Sequence, residues 1–150
     1  YNREEFASID VNNIFVQDNL SFSLKAGTIR GLHFQKGSFE QSKLLKVISG
    51  SILDIFVDIR QDSPNFGKHF SYNLNSESGS LLIPRGFAHG FCSLEDNTLI
   101  SYKVDNFYNK ESESGIVWND PDLNIKWPEF KNFVISEKDK ELLSLKELIK

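Results

Sequence analysis

Apolar and polar residues alternate with period two over much of this chain. Across 52–60, Leu53, Ile55, Val57 and Ile59 share one parity, while Asp54, Asp58 and Arg60, with Phe56 among them, share the other. Successive side chains of an extended chain point to opposite sides, so this run reads as a strand with two unlike faces. Further short runs predict strands at 14–17, 28–35, 43–48, 67–74, 80–83, 87–93, 98–104 and 115–118. Ser49-Gly50 between two of them predicts a tight hairpin. Turn formers separate others: Asp62-Ser63-Pro64-Asn65, Asn75-Ser76-Glu77-Ser78-Gly79 and Glu95-Asp96-Asn97. Many short strands at this spacing predict a sandwich or small barrel rather than alternating strand–helix units. Helical spacing appears at the two ends. Residues 1–8 predict a short helix, and 137–149 a second, with Leu142, Leu145, Leu148 and Ile149 at helical spacing and Leu143 beside them. Ser136 is its expected cap, with Asp139 three residues on.

Length and composition narrow the class. A chain of 150 residues with 39% hydrophobic and 25% charged residues fits one globular domain. Thirteen Phe and no Met point to a rigid, aromatic interior. The formal net charge is −4 and no basic run occurs, which argues against a nucleic-acid surface. The single Cys, Cys92, excludes an internal disulfide and a cysteine zinc site. It lies in Gly-Phe-Cys-Ser-Leu and reads as a buried structural thiol. No run approaches the length of a membrane span, and no secretory signal is present, so a cytoplasmic setting and no membrane partner are expected.

Chemistry enters where polar residues occupy apolar parities. Lys43 shares its parity with Leu45 and Val47, and Tyr102 shares its own with Ile100 and Val104. His33 and His89 each sit among bulky apolar residues on a predicted strand. Singly, each has an ordinary explanation: a satisfied core histidine, a packed phenol, or a lysine that snorkels to water. Together they describe a barrel mouth lined by a base, a cation and a phenol, the content of a proton-transfer site. The three histidines, His33, His69 and His89, form no His-x-His pair. A scattered metal site from His33, His89 and a carboxylate is the alternative, and the expectation is no metal.

Several blocks resemble the dTDP-4-dehydrorhamnose 3,5-epimerase family. They are Arg30-Gly31-Leu32-His33-Phe34-Gln35, Gln41-Ser42-Lys43-Leu44, the run from Asp58 to Gly67, Ile83-Pro84-Arg85-Gly86-Phe87-Ala88-His89-Gly90-Phe91, Tyr102-Lys103, and the run from Trp118 to Pro128. They occur in order from Gln17-Asp18-Asn19 to Asp139 and cover about four-fifths of the chain. The resemblance implies a mainly β cupin fold, a double-stranded β-helix or jelly roll with short flanking helices, as one domain over 1–150 and usually as a homodimer. It implies epimerisation at C3 and C5 of a dTDP-linked 4-keto-6-deoxysugar, in rhamnose-type deoxysugar synthesis, without a cofactor. A C3-only or other nucleotide-sugar epimerase, or a non-catalytic nucleotide-sugar-binding cupin, is the alternative. By the same resemblance His33 is the base, Asp139 its carboxylate partner, Lys43 the enolate-stabilising cation and Tyr102 the acid on the opposite face. Gln17, Asp18, Asn19, Arg30, His89, Tyr108, Glu113 and Lys138 are implied as substrate-binding residues, with Tyr108 at the nucleotide end. At Lys138, where family members often have arginine, the charge is kept without the bidentate fork. The resemblance also implies an upstream Asp-x-Arg-Gly-like motif whose arginine helps hold diphosphate. This sequence starts downstream of it, so either an N-terminal segment is missing, which is the expectation, or Arg30 and Lys138 alone hold the phosphate.

Overall fold

In the computed structural model, which describes residues 1–149, ten strands form two sheets that face each other. The smaller contains β1 (Gln17–Ser23), β8 (Thr98–Val104), β3 (Lys43–Ser49) and β6 (Leu81–Ile83), in that order. The larger runs β10 (Val134–Ile135), β2 (Thr28–Gln35), β7 (Phe87–Ser93), β4 (Ser51–Asp58), β5 (His69–Asn75), with β9 (Glu113–Gly115) also paired to β2. Strand pairing is antiparallel except between β10 and β2.

The alternation in 52–60 has a fuller meaning than two unlike faces. Ile55 and Val57 pack with Leu32, Ala88, Ile116, Leu123 and Leu145 on the side of the larger sheet covered by the C-terminal third of the chain. The other parity turns toward the smaller sheet, where Ile52 and Phe91 meet Leu45, Val47 and Ile100. Both faces of the larger sheet are therefore covered. Asp54, on the second parity, is fully buried between the sheets.

Three expectations are corrected. Ser49-Gly50 makes no hairpin: β3 pairs with β6 and β8 while β4 pairs with β5 and β7, so the chain changes sheets at Gly50. Gly50 is required there because its φ is +78° and a Cβ would fall 2.4 Å from Thr98 Oγ1. The strand expected at 14–17 lies at Gln17–Ser23 instead, with Gln17, Asn19, Ser21 and Ser23 turned inward and Leu20 and Phe22 exposed. This polarity is the reverse of a core-facing strand, which is why the pattern hid it. The helix expected over 137–149 is two short ones, α2 (Glu137–Lys140) and α3 (Leu145–Leu148); a five-residue helix, α1 (Arg3–Ala7), opens the chain. Ser144 and Glu147 form a reciprocal capping box that restarts the helix, while Leu143 bridges to Ile116. Ser136 caps α2 as its sequence suggests, accepting from the Asp139 N–H. Cys92 is buried, and burial pushes its thiol up to about 12.

Candidate active site

The site is built where β2 crosses β7. Arg30 pairs with Phe91 and His33 with His89, so three steps along β2 match two along β7. That bulge lets Arg30 and His33, three residues apart, face the same cavity, which regular alternation forbids. Two glycines allow the close crossing. A Cβ on Gly31 would sit 2.6 Å from the Gly90 Cα, and one on Gly90 would sit 2.6 Å from the Arg30 carbonyl oxygen.

The cavity holds about 380 Å³ and is lined by Arg30, His33, Lys43, His89, Tyr102, Lys138 and Asp139 among others. His33 Nε2 lies 2.7 Å from Asp139 Oδ1, and the Gly31 N–H donates to Asp139 Oδ2 at 3.1 Å. A carboxylate can only accept, so Nε2 is the donor in this pair. Burial pushes the Asp139 carboxyl up, but the bonds and charge from His33, with those from Gly31 and Ser136, leave it below the usual range. Asp139 thus serves at once in the first turn of α2 and as the partner of His33.

Across the cavity, β3 and β8 of the smaller sheet supply Lys43 and Tyr102. Lys43 Nζ donates to the His33 carbonyl oxygen at 3.2 Å. Burial lowers its pKa to about 8, against the opposing pull of Asp54 and Glu113. Tyr102 packs on the inner core cluster, and burial raises its pKa. Its hydroxyl makes no hydrogen bond to the described residues, so it is free to give a proton to a ligand.

One member of the site escaped the sequence. Asp54 Oδ2 lies 2.8 Å from His89 Nε2, and Asp54 Oδ1 is buried with no partner. Burial lowers the His89 pKa more than Asp54 raises it, so the ring is neutral at pH 7 and donates its Nε2 proton to Asp54. The signal was present in the alternation of 52–60, where Asp54 occupied a parity read only as the polar face. His33 and His89 each commit one ring nitrogen to a carboxylate. Among the described residues no group of three His, Cys, Asp or Glu side chains is placed to hold a metal ion.

A smaller adjoining cavity of about 170 Å³ shares His33, Lys43 and Tyr102 and adds Gln17, Asn19, Tyr108 and Glu113. Glu113 Oε2 accepts from the Tyr108 hydroxyl at 2.8 Å and from Lys138 Nζ at 2.6 Å. Burial pushes Glu113 up, and those two bonds, together with the charges of Lys138 and His33, more than offset it. Gln17 Nε2 donates to Asn19 Oδ1 at 2.7 Å. Of the twelve residues singled out in the sequence, eleven line these two cavities. Asp18 does not: it lies on the outer face of β1, ion-paired with Lys103.

The family model for dTDP-4-dehydrorhamnose 3,5-epimerase matches residues 1–147. An enzyme of that name from Sinorhizobium fredii is 45% identical over 148 residues, which is 97% of this chain and 76% of the relative. The crystal structure of dTDP-4-dehydrorhamnose 3,5-epimerase from Bacillus anthracis, with TDP and pyrophosphate bound, is 46% identical with a TM-score of 0.93, over 96% of this chain and 82% of that one. The enzyme from Legionella pneumophila in complex with dTDP-4-keto-L-rhamnose is 38% identical with a TM-score of 0.92, over 100% of this chain and 79% of that one. The protein is thus similar to these enzymes in sequence over nearly its whole length and in fold, and it belongs to the dTDP-4-dehydrorhamnose 3,5-epimerase family.

Proposed function

We propose that this protein inverts C3 and C5 of a dTDP-linked 4-keto-6-deoxyhexose, with His33, Asp139, Lys43 and Tyr102 as its catalytic residues. The observation that carries the reading is the His33–Asp139 pair facing Tyr102 across one cavity, with Lys43 beside the base. The C4 ketone acidifies the hydrogens on C3 and C5. His33 Nδ1 takes the C3 proton, and the electron pair moves into the C3–C4 bond as C4–O becomes an enolate. Asp139 stabilises the imidazolium that results. The Lys43 ammonium donates to the enolate oxygen, where charge develops and water is scarce. Tyr102 then delivers a proton to C3 from the opposite face as the enolate collapses to ketone. His33 then gives its proton to water and Tyr102 takes one from water, and the same sequence at C5 completes the reaction. Base and acid stand on different sheets, which is what inversion requires. No step calls for a cofactor.

The nucleotide is assigned to the adjoining cavity, with Gln17, Asn19, Tyr108 and Glu113 toward the base, and Arg30 and Lys138 toward the diphosphate. His89, held by Asp54, is assigned to the sugar hydroxyls. A homodimer and a cytoplasmic setting belong to the same proposal. Relatives carry the reading further, since the Legionella protein was crystallised with dTDP-4-keto-L-rhamnose.

The test is incubation with dTDP-4-keto-6-deoxyglucose in deuterated water, followed by NMR. Deuterium is expected at both C3 and C5. Bound ligand without exchange at either carbon overturns the reading, and exchange at C3 alone overturns its C5 half. His33→Ala is expected to abolish exchange and leave dTDP affinity within a few-fold. Tyr102→Phe is expected to allow exchange and slow net inversion by roughly 10²-fold or more, the size of a general-acid contribution.

A further inference from the structure

We propose that Asp105 and Asn106, just past the end of β8, are positioning residues that set where the Lys43 ammonium stands. This rests on the role given to Lys43 as the cation at the enolate oxygen. Neither residue lines the two cavities of the site. Lys43 is the first residue of β3, flanked in the sheet by Val104 and Ile83, so its approach to the cavity depends on the loop 36–42 that leads into it. Asp105 and Asn106 hold that loop. The Ser42 N–H donates to Asp105 Oδ1 at 2.7 Å, and the Asp105 N–H donates to the Ser42 carbonyl oxygen at 3.3 Å. Asn106 Nδ2 donates to the Ser38 and Glu40 carbonyl oxygens at 2.8 and 3.3 Å, and the Asn106 carbonyl oxygen accepts from Gln41 Nε2 at 2.9 Å.

The Asp105 side chain is 8% exposed and accepts on both oxygens. Besides Ser42 on Oδ1, Asn13 Nδ2 and Arg85 Nε donate to Oδ2 at 2.9 and 3.3 Å. One carboxylate thus ties the start of β3 to the segment before β1 and to the turn between β6 and β7. Lysine carries its charge on a flexible four-carbon stem, so slack at residue 42 reaches the ammonium. A misplacement of about 1 Å can cost roughly 10²-fold in rate. A strand-end cap with no bearing on the chemistry is the competing reading, and it would show in Tm alone.

Asp105→Ala removes the acceptor of Ser42. Asp105→Asn keeps an oxygen for it but turns an NH₂ toward the donors of Asn13 and Arg85. Both are expected to lower Tm. Only Asp105→Ala is expected to lower kcat, by about tenfold or more, with KM within a few-fold. In a Lys43→Met background, with no ammonium to place, Asp105→Ala is expected to cost no further turnover, read by deuterium exchange into dTDP-4-keto-6-deoxyglucose. NMR of isotope-labelled lysine reads the same placement in the free protein. Lys43 is expected to titrate near pH 8 in the wild type and Asp105→Asn, and higher in Asp105→Ala as the stem slackens toward water. The groups facing it from β2, β4, β7, β8 and β9, namely His33, Asp54, His89, Tyr102 and Glu113, are the same in all three proteins. Equal losses of kcat in the two Asp105 variants, or a loss that persists in Lys43→Met, overturn the proposal. So does a Lys43 titration that Asp105→Ala leaves in place. Where Asp105→Ala does not fold, Asn106→Ala carries the same expectations at smaller size, and an unmoved kcat and titration there overturn the proposal. A wild type that binds dTDP and exchanges no deuterium removes the epimerase reading, and the Lys43 titration then decides this inference.

Discussion

Lys43 concentrates the chemistry of the site in one ammonium. Its charge is useful because it is held largely away from water at the cavity wall, and that burial lowers its pKa to about 8. The protonated form is present below that value and lost as pH rises through it. kcat/KM, which reports the free enzyme, is therefore expected to fall on an alkaline limb near pH 8. Lys43→Arg, charged throughout, is expected to lose that limb while working more slowly, because the planar fork does not reproduce a point charge. A limb at the same pH in Lys43→Arg assigns it to another group. Asp54 from β4 and Glu113 from β9 hold the Lys43 proton on, whereas burial outweighs them. Asp54→Asn is expected to move the limb to lower pH, and a limb that stays in place removes Asp54 from that role. The same lowering has a stability consequence. The unfolded lysine keeps its ordinary 10.5, so between about 8 and 10.5 the unfolded chain binds more protons than the folded one. The Lys43 contribution to stability then rises with pH across that window.

At the scale of elements, the crossing of β2 and β7 sets the geometry. Gly90→Ala is expected to cost activity far beyond its size, because a Cβ there would lie 2.6 Å from the Arg30 carbonyl oxygen and 3.1 Å from the Gly31 Cα, both backbone. The strands must part, and His33 moves away from Asp139. A fall in kcat/KM of at least tenfold with a lowered Tm is the expected outcome; full activity would mean that the close approach is dispensable. This element also marks what the sequence could reveal. Strands 28–35, 87–93 and 98–104 were legible because their apolar residues follow the interior, and Lys43 and Tyr102 stood out as polar exceptions on apolar parities. The bulge was not legible, since no period links Arg30 to His33. Nor was Asp54, because a polar residue on a polar parity looks solvated until the second sheet covers it. β1 failed for the opposite reason: its polar set faces the cavity and its apolar set faces out.

That reversed strand bears on the whole molecule. Leu20 and Phe22 are 73% and 52% exposed along β1, the end strand of the smaller sheet, and Leu24, just past its end, is 61% exposed. An apolar row on a sheet edge is an association surface unless charge or a bulge blunts it. The one charge within β1, Asp18, is ion-paired with Lys103. Self-association of this edge is the economical way to cover the row, and it fits the proposed homodimer. Sedimentation equilibrium is expected to give a dimer for the wild type. Phe22→Glu, which sets like charges against each other across a two-fold contact, is expected to shift it toward monomer. Arg30 ties the surface to the site, since its guanidinium donates to the Phe22 carbonyl oxygen at 3.1 Å. Dissociation is therefore expected to raise KM for the nucleotide sugar more than it lowers kcat. A wild type that sediments as a monomer, or a dimer indifferent to Phe22→Glu, would place the interface elsewhere and leave the row on β1 without this role.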